Sequence, residues 1–394
     1  MSDTTRAAVL TAGYYAAVFI AMGAMLPFWP VWLQARGLDE AAIGWLLGSM
    51  TLVRIAGSTV LPAIADRYAV RRAMLGITAA LSAVVAIALL VLPLDPVWLL
   101  IVCLVWGFVM APTVPLGEAL GLRAATNHGF AYAPVRAAGS IGFLLANLAL
   151  GAGLERLGPD LVIWTIAVAF LAVAVLGLVH PGGGAAPGDG RDKPQPGELR
   201  YLLTRRVVLV FAVAAAANQS SHMVYYGYSV LDWQTQGISG ATIGQLWALG
   251  VLAETVLMLG PGRHLITRIS PAGALGLAAV AGALRWAAMA GAPSLEWLWP
   301  LQALHAVSFG IGHLGAMAFL AAAVPGRLAG STQGALAGIC NGSASALVLF
   351  AAGSVIASGG IAAGYWMCAA ISLIGVVAAV ALACLWRGER LVDG

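Results

Sequence analysis

The sequence predicts an all-α, polytopic membrane protein of twelve transmembrane helices, built as two related halves of six. Three observations carry that reading: the composition, the number of apolar runs long enough to cross a bilayer, and a register that repeats between the halves. Of 394 residues, 61% are hydrophobic and only 9% charged, with a mean hydropathy of +0.92; a soluble domain carries roughly 25% charged residues. A helix crossing hydrocarbon needs about 20 mostly apolar residues. Runs of that kind fall at 8–34, 41–65, 73–93, 96–123, 132–155, 160–180, 206–233, 240–262, 272–291, 296–323, 330–357 and 362–386. They lack the two-residue alternation of an outer-membrane barrel.

Taken in order, the first run exceeds the h-region of a signal peptide and has no small-residue cleavage site before the next span, so it is expected to remain as helix 1. With the N-terminus inside, fifteen Lys and Arg residues fall on cytoplasmic segments and two, Arg36 and Arg156, on the other side. Positive charge is retained inside, so both termini are expected in the cytoplasm. The net charge of +4 then reports topology, and no nucleic-acid partner is expected. Between the sixth and seventh runs, HPGGGAAPGDGRDKPQPGEL at 180–199 is too polar and too rich in Gly and Pro to bury a core. It divides the chain into a six-helix bundle at 1–180, a cytoplasmic linker at 181–204 and a second six-helix bundle at 205–394. Cys103, Cys340, Cys368 and Cys384 sit singly within spans, so neither a metal site nor a disulfide frame is expected.

The halves share a register. QARGLDEAAIGWLLGSMTLVR at 34–54 aligns without a gap on QTQGISGATIGQLWALGVLAE at 234–254, matching Gln34, Gly37, Ala41, Ile43, Gly44, Leu46 and Leu52. A repeat whose copies share topology is the parallel duplication of transporter halves, with a binding site near mid-membrane. The same alignment sets Arg54 on helix 2 opposite Glu254 on helix 8.

Charges inside spans are the candidate functional residues, because each costs about 2.5–3.5 kcal/mol at the bilayer centre on insertion scales. Arg54, Glu118, Arg136, Glu254 and Arg285 qualify, with His305 and His313 beside them. Glu118 and Arg136 lie at similar depth on antiparallel neighbouring helices 4 and 5, which allows them to pair. Arginine suits a carboxylate ligand because its planar fork donates two hydrogen bonds at once. His222 on helix 7 has weaker support. Tyr14, Tyr15 and Tyr226 are candidate cavity residues, whereas Trp29, Trp32 and Trp233, near the outer helix ends, are expected in an interfacial belt or outer gate. Pro27 and Pro30 in helix 1, and Pro112 and Pro115 in helix 4, can kink their helices.

PAIADRYAVRR at 62–72 resembles the signature loop of the major facilitator superfamily, with Asp66, Arg67, Arg71 and Arg72 matching and Pro62 in place of the usual Gly. LPFWPVWL (26–33), APTVPLGEAL (111–120), YYGYSVLDWQ (225–234), GQLWALGVLAE (244–254), LRWAAMAG (284–291) and LQALHAVSFGIGHLGAM (301–317) resemble the 3-phenylpropionate transporter branch, itself similar to lactose permease. The resemblance implies the major facilitator fold of two pseudo-symmetric bundles. It also implies a monomeric, proton-coupled importer of the bacterial inner membrane, working by alternating access on a small aromatic carboxylic acid. The implied partners are substrate, protons and the lipid bilayer; no cofactor is implied, the proton gradient being the energy source.

By the same resemblance, Glu118 and Arg136 belong to the substrate site, and Glu254, Arg285 and His305 match a coupling group, with His305 also near substrate. The permease carries a carboxylate one turn after that histidine, where this chain has Ser308. That departure moves the expected proton carrier to Glu254, governed by Arg285 moving toward or away from it, with His305 and His313 as substitutes. The alternatives are a carrier for a neutral sugar or nucleoside, an efflux antiporter, or a non-transporting membrane sensor. The Gly-Pro signature of antiporters is absent from VRAAGSIGFLLANLALGAG at 135–153, which favours uptake. No nucleophile elbow, phosphate loop or His-Glu-x-x-His set is present, so no enzyme is expected.

Overall fold

The computed structural model describes residues 2–92, 95–183 and 197–391. Residues 184–196, most of the expected linker, lie outside the described residues. The membrane spans are labelled α1 (Asp3–Ala35), α2 (Glu40–Arg67), α3 (Arg71–Val91), α4 (Pro96–His128), α5 (Tyr132–Leu157), α6 (Asp160–Leu178), α7 (Arg206–Thr235), α8 (Gly240–Leu259), α9 (Pro271–Ala290) and α10 (Leu295–Ala323). The last stretch, Gly326–Leu385, is broken at Gly360, whose φ is 72°, giving α11 (326–359) and α12 (361–385). No strand occurs among the described residues.

Helix starts follow local chemistry. Ser2, Asp39, Asp95 and Ser270 each accept a backbone N–H of the first turn of α1, α2, α4 and α9, satisfying donors a helix leaves unpaired. Proline acts unequally. Pro27 and Pro30 sit inside an unbroken α1, whereas α4 is interrupted at Ala111–Pro112 between segments ending at Met110 and starting at Thr113. Two further breaks were not expected: α7 is interrupted at Ser221–His222, and α8 stops at Leu259, with Pro261–Arg268 forming a separate short helix.

The chain forms two compact units, Met1–Pro187 with Gly227–Ala248, and Gly188–Tyr226 with Leu249–Gly394. In the first, α1 packs on α5 and α6, α3 on α6, and α2 on α4. The internal repeat is visible there bond by bond. Gly37 donates to Gln34 O at 2.9 Å and Gly237 to Gln234 O at 3.0 Å, both with positive φ, 87° and 75°. Glycine is needed at both, since a Cβ disfavours that backbone region. Asp39 then caps α2, and at the matching position Ser239 Oγ accepts the Thr242 N–H at 3.3 Å.

The end of α5 meets the start of α8 backbone to backbone. A Cβ on Gly151 would lie 2.5 Å from Gly240 O and 2.8 Å from Gly244 Cα. Glu155 accepts the Gly240 N–H at 2.5 Å. Nearby, Trp29 stacks on Trp32 with centroids 5.0 Å apart and meets Trp106 edge-on at 5.2 Å, while Trp32 Nε1 donates to Asp160 at 2.8 Å. Trp29, Trp32 and Trp233 are all buried, so they are packing residues of this unit, and the belt half of the expectation does not hold.

In the second unit, α9 packs on α12, and α7 packs beside it. Phe211, Phe319 and Trp386 form an aromatic knot, with Phe211 and Phe319 stacked at 4.0 Å. Two wide π turns interrupt the spans, Ala306–Ile311 in α10 and Leu336–Gly342 in α11; such turns recur at functional positions.

Candidate functional site

Two polar clusters stand within the spans, one in each unit. In the first, Arg136 donates through Nε to Glu118 Oε1 at 2.7 Å. Tyr132 donates to Glu118 Oε2, Tyr15 approaches the same oxygen at 3.4 Å, and the two tyrosine hydroxyls are 2.9 Å apart. The Arg136 guanidinium lies over Phe19 at 4.3 Å and over Tyr15 at 5.0 Å. Both charged side chains are about one-third exposed, 30% for Arg136 and 33% for Glu118, so the pair opens to water. The Nη groups of Arg136 make no hydrogen bond among the described residues.

The two tyrosines owe their places to small residues on α4. Tyr14 lies against Gly117 and Tyr15 against Gly121, the small-xxx-small spacing that lets helices approach closely. Tyr14 is buried and donates to Thr113 O at 2.6 Å, just after the α4 break. It therefore braces the kink, and Tyr15 alone of the two reaches the charged pair. Tyr132, one turn before Arg136, was missed in the sequence; its i, i+4 relation to Arg136 was the available signal.

The second cluster centres on Arg285, which is fully buried. Nη2 donates to Gln302 Oε1 at 2.9 Å and Nη1 to His305 Nδ1 at 3.1 Å, with Ser308 Oγ at 3.4 Å from Nη1. Its guanidinium lies over the rings of Trp286 at 4.5 Å and Tyr225 at 4.7 Å. A guanidinium has no lone pair to offer, so Nδ1 of His305 must accept. The ring proton of the neutral His305 is then on Nε2, which faces Glu254 Oε2 at 3.5 Å. No hydrogen bond or ion pair joins Arg285 to Glu254 among the described residues, and His305 contacts both.

His222 fixes the other side. Its Nδ1 donates to Asn218 O at 2.9 Å, leaving Nε2 to accept from Ser308 Oγ at 3.4 Å. Ser308 thus bridges Arg285 and His222. The π turn of α10 is held by Asn218, whose Nδ2 donates to Ser308 O at 3.0 Å with its side chain packed on Gly312. Because of that turn, Phe309 is sandwiched between His305 and His313, with centroids 5.2 and 6.4 Å apart and planes within 10°. Tyr226 lies 5.8 Å from His222 and 6.4 Å from His305, ring to ring. Asn218, Gln302 and Phe309 had no sequence signal of their own.

The signature loop is compact: Arg71 pairs with Asp66, Arg67 lies over Tyr68, and Ala69 takes a positive φ of 55°. Beyond it, the buried His180 accepts the Gly182 N–H at 3.1 Å and meets Tyr14 edge-on at 5.4 Å. Burial, with the Arg72 charge adding to it, pushes the His180 pKa down to about 4. Arg54 stands on α2, exposed and without a hydrogen bond or ion pair among the described residues.

Among the described residues, twelve helices long and apolar enough to cross a membrane carry ionisable networks inside each unit, the build of a membrane carrier. The comparisons fix the family: the MFS_1 like family matches residues 9–367, and the chain belongs to it. It is 32% identical to the probable 3-phenylpropionic acid transporter of Escherichia coli K12 over 314 residues, 79% of this chain and 82% of that one. It is 26% identical to the maltose permease of Geobacillus stearothermophilus over 381 residues, 94% and 93% of the respective chains. The crystal structure of the nucleoside transporter NupG superposes with a TM-score of 0.82 at 16% identity, covering 98% of this chain and 100% of that one. The protein is a transporter of the major facilitator fold, a multi-pass membrane protein and not an enzyme.

Proposed function

We propose that this transporter is a proton-coupled uptake carrier for a small organic anion, an aromatic or phenylpropanoid carboxylate. It works as a monomer by alternating access in the bacterial inner membrane, with both termini in the cytoplasm and the proton gradient as its energy source. The observation that carries the coupling is the chain Arg285–His305–Glu254. Arg285 occupies Nδ1 of His305 and so holds that ring neutral, leaving Glu254 as the carboxylate that gains and loses the transported proton. When His305 Nε2–H points at the ionised Glu254, the charge is stabilised; when the proton arrives, that contact loosens and α10 is free to shift. The substrate class rests on the name of the E. coli relative.

Glu118, Arg136, Tyr15 and Tyr132 form the polar part of the substrate site in the first unit, with the Nη fork of Arg136 left for ligand. A second reading, a neutral sugar or nucleoside, has two points in its favour: the likeness to a maltose permease and the self-compensated charge of the Glu118–Arg136 pair.

The test is uptake of labelled 3-phenylpropionate into proteoliposomes with and without an inward proton gradient. Gradient-driven accumulation is expected, and Glu254→Gln is expected to abolish it while sparing exchange against preloaded substrate. Accumulation that persists in Glu254→Gln removes Glu254 as the proton carrier. Absence of uptake by the folded wild type removes the substrate.

A further inference from the structure

Of the arginines placed within the spans, Arg136 is paired with Glu118 and Arg285 is enclosed by Gln302, His305 and two aromatic rings. Arg54 has neither kind of partner among the described residues, yet it lies at mid-membrane. It is fourteen residues from Glu40 and thirteen from Arg67, the ends of α2, or about 20 Å from each at 1.5 Å per residue. An uncompensated cation there is costly unless it meets water or an anion.

The face it occupies decides between lipid and interior. At about 100° per residue, the exposed Trp45, Leu52, Ala56 and Thr59 fall on one stripe, which faces lipid. Arg54 lies about 140° to 180° around the helix from that stripe. Its neighbours on its own face, within about 40°, are the buried Ile43, Met50 and Ala65 and the half-buried Leu47, Ser58 and Leu61. Arg54 is thus an exposed charge on a face whose other residues are buried or half-buried, on the side of α2 away from the exposed apolar stripe.

We propose that Arg54 supplies the positive charge that binds the carboxylate of the transported anion. The inference rests on the organic-anion reading above and deepens it. The Glu118–Arg136 pair has no net charge, so it can orient a ligand through hydrogen bonds but does not compensate an added negative charge. Arg54 carries the charge and the planar fork that a carboxylate takes bidentately. Its counterpart in the repeat is Glu254, so the two register-equivalent positions take complementary roles, a cation for the anionic substrate on α2 and a proton acceptor on α8.

The test compares binding of 3-phenylpropionate, ionised at neutral pH, with that of 3-phenylpropanol, the same skeleton without charge, by calorimetry on the purified full chain. Wild type is expected to prefer the carboxylate. Arg54→Gln is expected to weaken carboxylate binding by about ten- to a hundredfold, the range for hydrogen bonds to charged groups, and to leave alcohol binding within about twofold. Arg54→Lys is expected to recover part of the loss. A wild-type preference that survives Arg54→Gln overturns this inference alone. No preference in the wild type overturns the organic-anion reading together with it. Equal loss of both ligands in Arg54→Gln and Arg54→Lys overturns it in favour of a purely structural arginine.

Discussion

Replacing Arg285 with Lys keeps the charge of the second cluster and removes its geometry. The guanidinium reaches two acceptors with two different nitrogens, Gln302 Oε1 at 2.9 Å and His305 Nδ1 at 3.1 Å, while its centre lies between the rings of Trp286 and Tyr225. An ammonium is a point: it can sit over the rings and reach one acceptor, and the other is left buried without a donor. Gln302 Nε2 already lacks a partner among the described residues, so the glutamine has no compensating contact to fall back on. One hydrogen bond to a charged donor is worth about 1.5–3 kcal/mol, which is about a ten- to 150-fold effect. If Gln302 keeps the ammonium, Nδ1 of His305 is released and can accept a proton beside Glu254. Two proton sites would then exist where the native network permits one. The expected outcome for Arg285→Lys in the proteoliposome assay is an initial uptake rate lowered at least tenfold, with an additional titration step in its pH dependence. A mutant with the wild-type rate and a single, unmoved step would refute the tautomer argument and with it the assignment of the proton to Glu254.

Other expectations follow from contacts elsewhere. Gly151→Val places methyl groups where Gly240 O already stands 2.5 Å from a Cβ position; α5 and the start of α8 must separate. Thermal stability in detergent should fall, and an unchanged transition would mean that the contact yields elsewhere. His180 should give residues 180–183 a pH-dependent hold on their unit. Its folded pKa of about 4 lies below the ordinary 6.5, so the undocked state takes up a proton first. Docking is then strongest above pH 6.5 and weakens by about 3 kcal/mol as the pH falls toward 4. The protection factors of that segment, its exchange corrected for the intrinsic rate at each pH, should fall over this interval, and a flat profile in wild type, or one unchanged in His180→Phe, would exclude the histidine as its cause. Asn218→Leu deletes the 3.0 Å bond to Ser308 O and should lower thermal stability in detergent by about 1–3 kcal/mol, with faster exchange across 306–312.

The division between what the sequence disclosed and what it hid follows from how far each interaction reaches along the chain. Spans were legible because twenty apolar residues are a local property, and the repeat was legible because Gly37 and Gly237 serve the same turn. Glu118 and Arg136 could be paired on paper because a short loop returns α5 beside α4 at matching depth. The second cluster resisted for a different reason. Its arrangement depends on α10 being wound too wide between Ala306 and Ile311, and nothing in AVSFGI announces a π turn. A regular helix puts residues eight apart some 80° out of line; the wide turn instead stacks His305, Phe309 and His313 into one column. What holds the turn is Asn218, ninety residues earlier, a polar residue in an apolar run that reads in isolation as an ordinary interhelical hydrogen bonder. The same turn places Ser308 between Arg285 and His222. A side chain that looked in the sequence like a missing carboxylate is in the structure the hydroxyl that joins two neighbours. Asn218 and Ser308 therefore act together here, Asn218 holding the Ser308 carbonyl while the Ser308 hydroxyl joins Arg285 and His222. With no negative charge there to meet Arg285, the guanidinium turns to His305 and Gln302, and Glu254 remains the cluster's carboxylate facing that histidine.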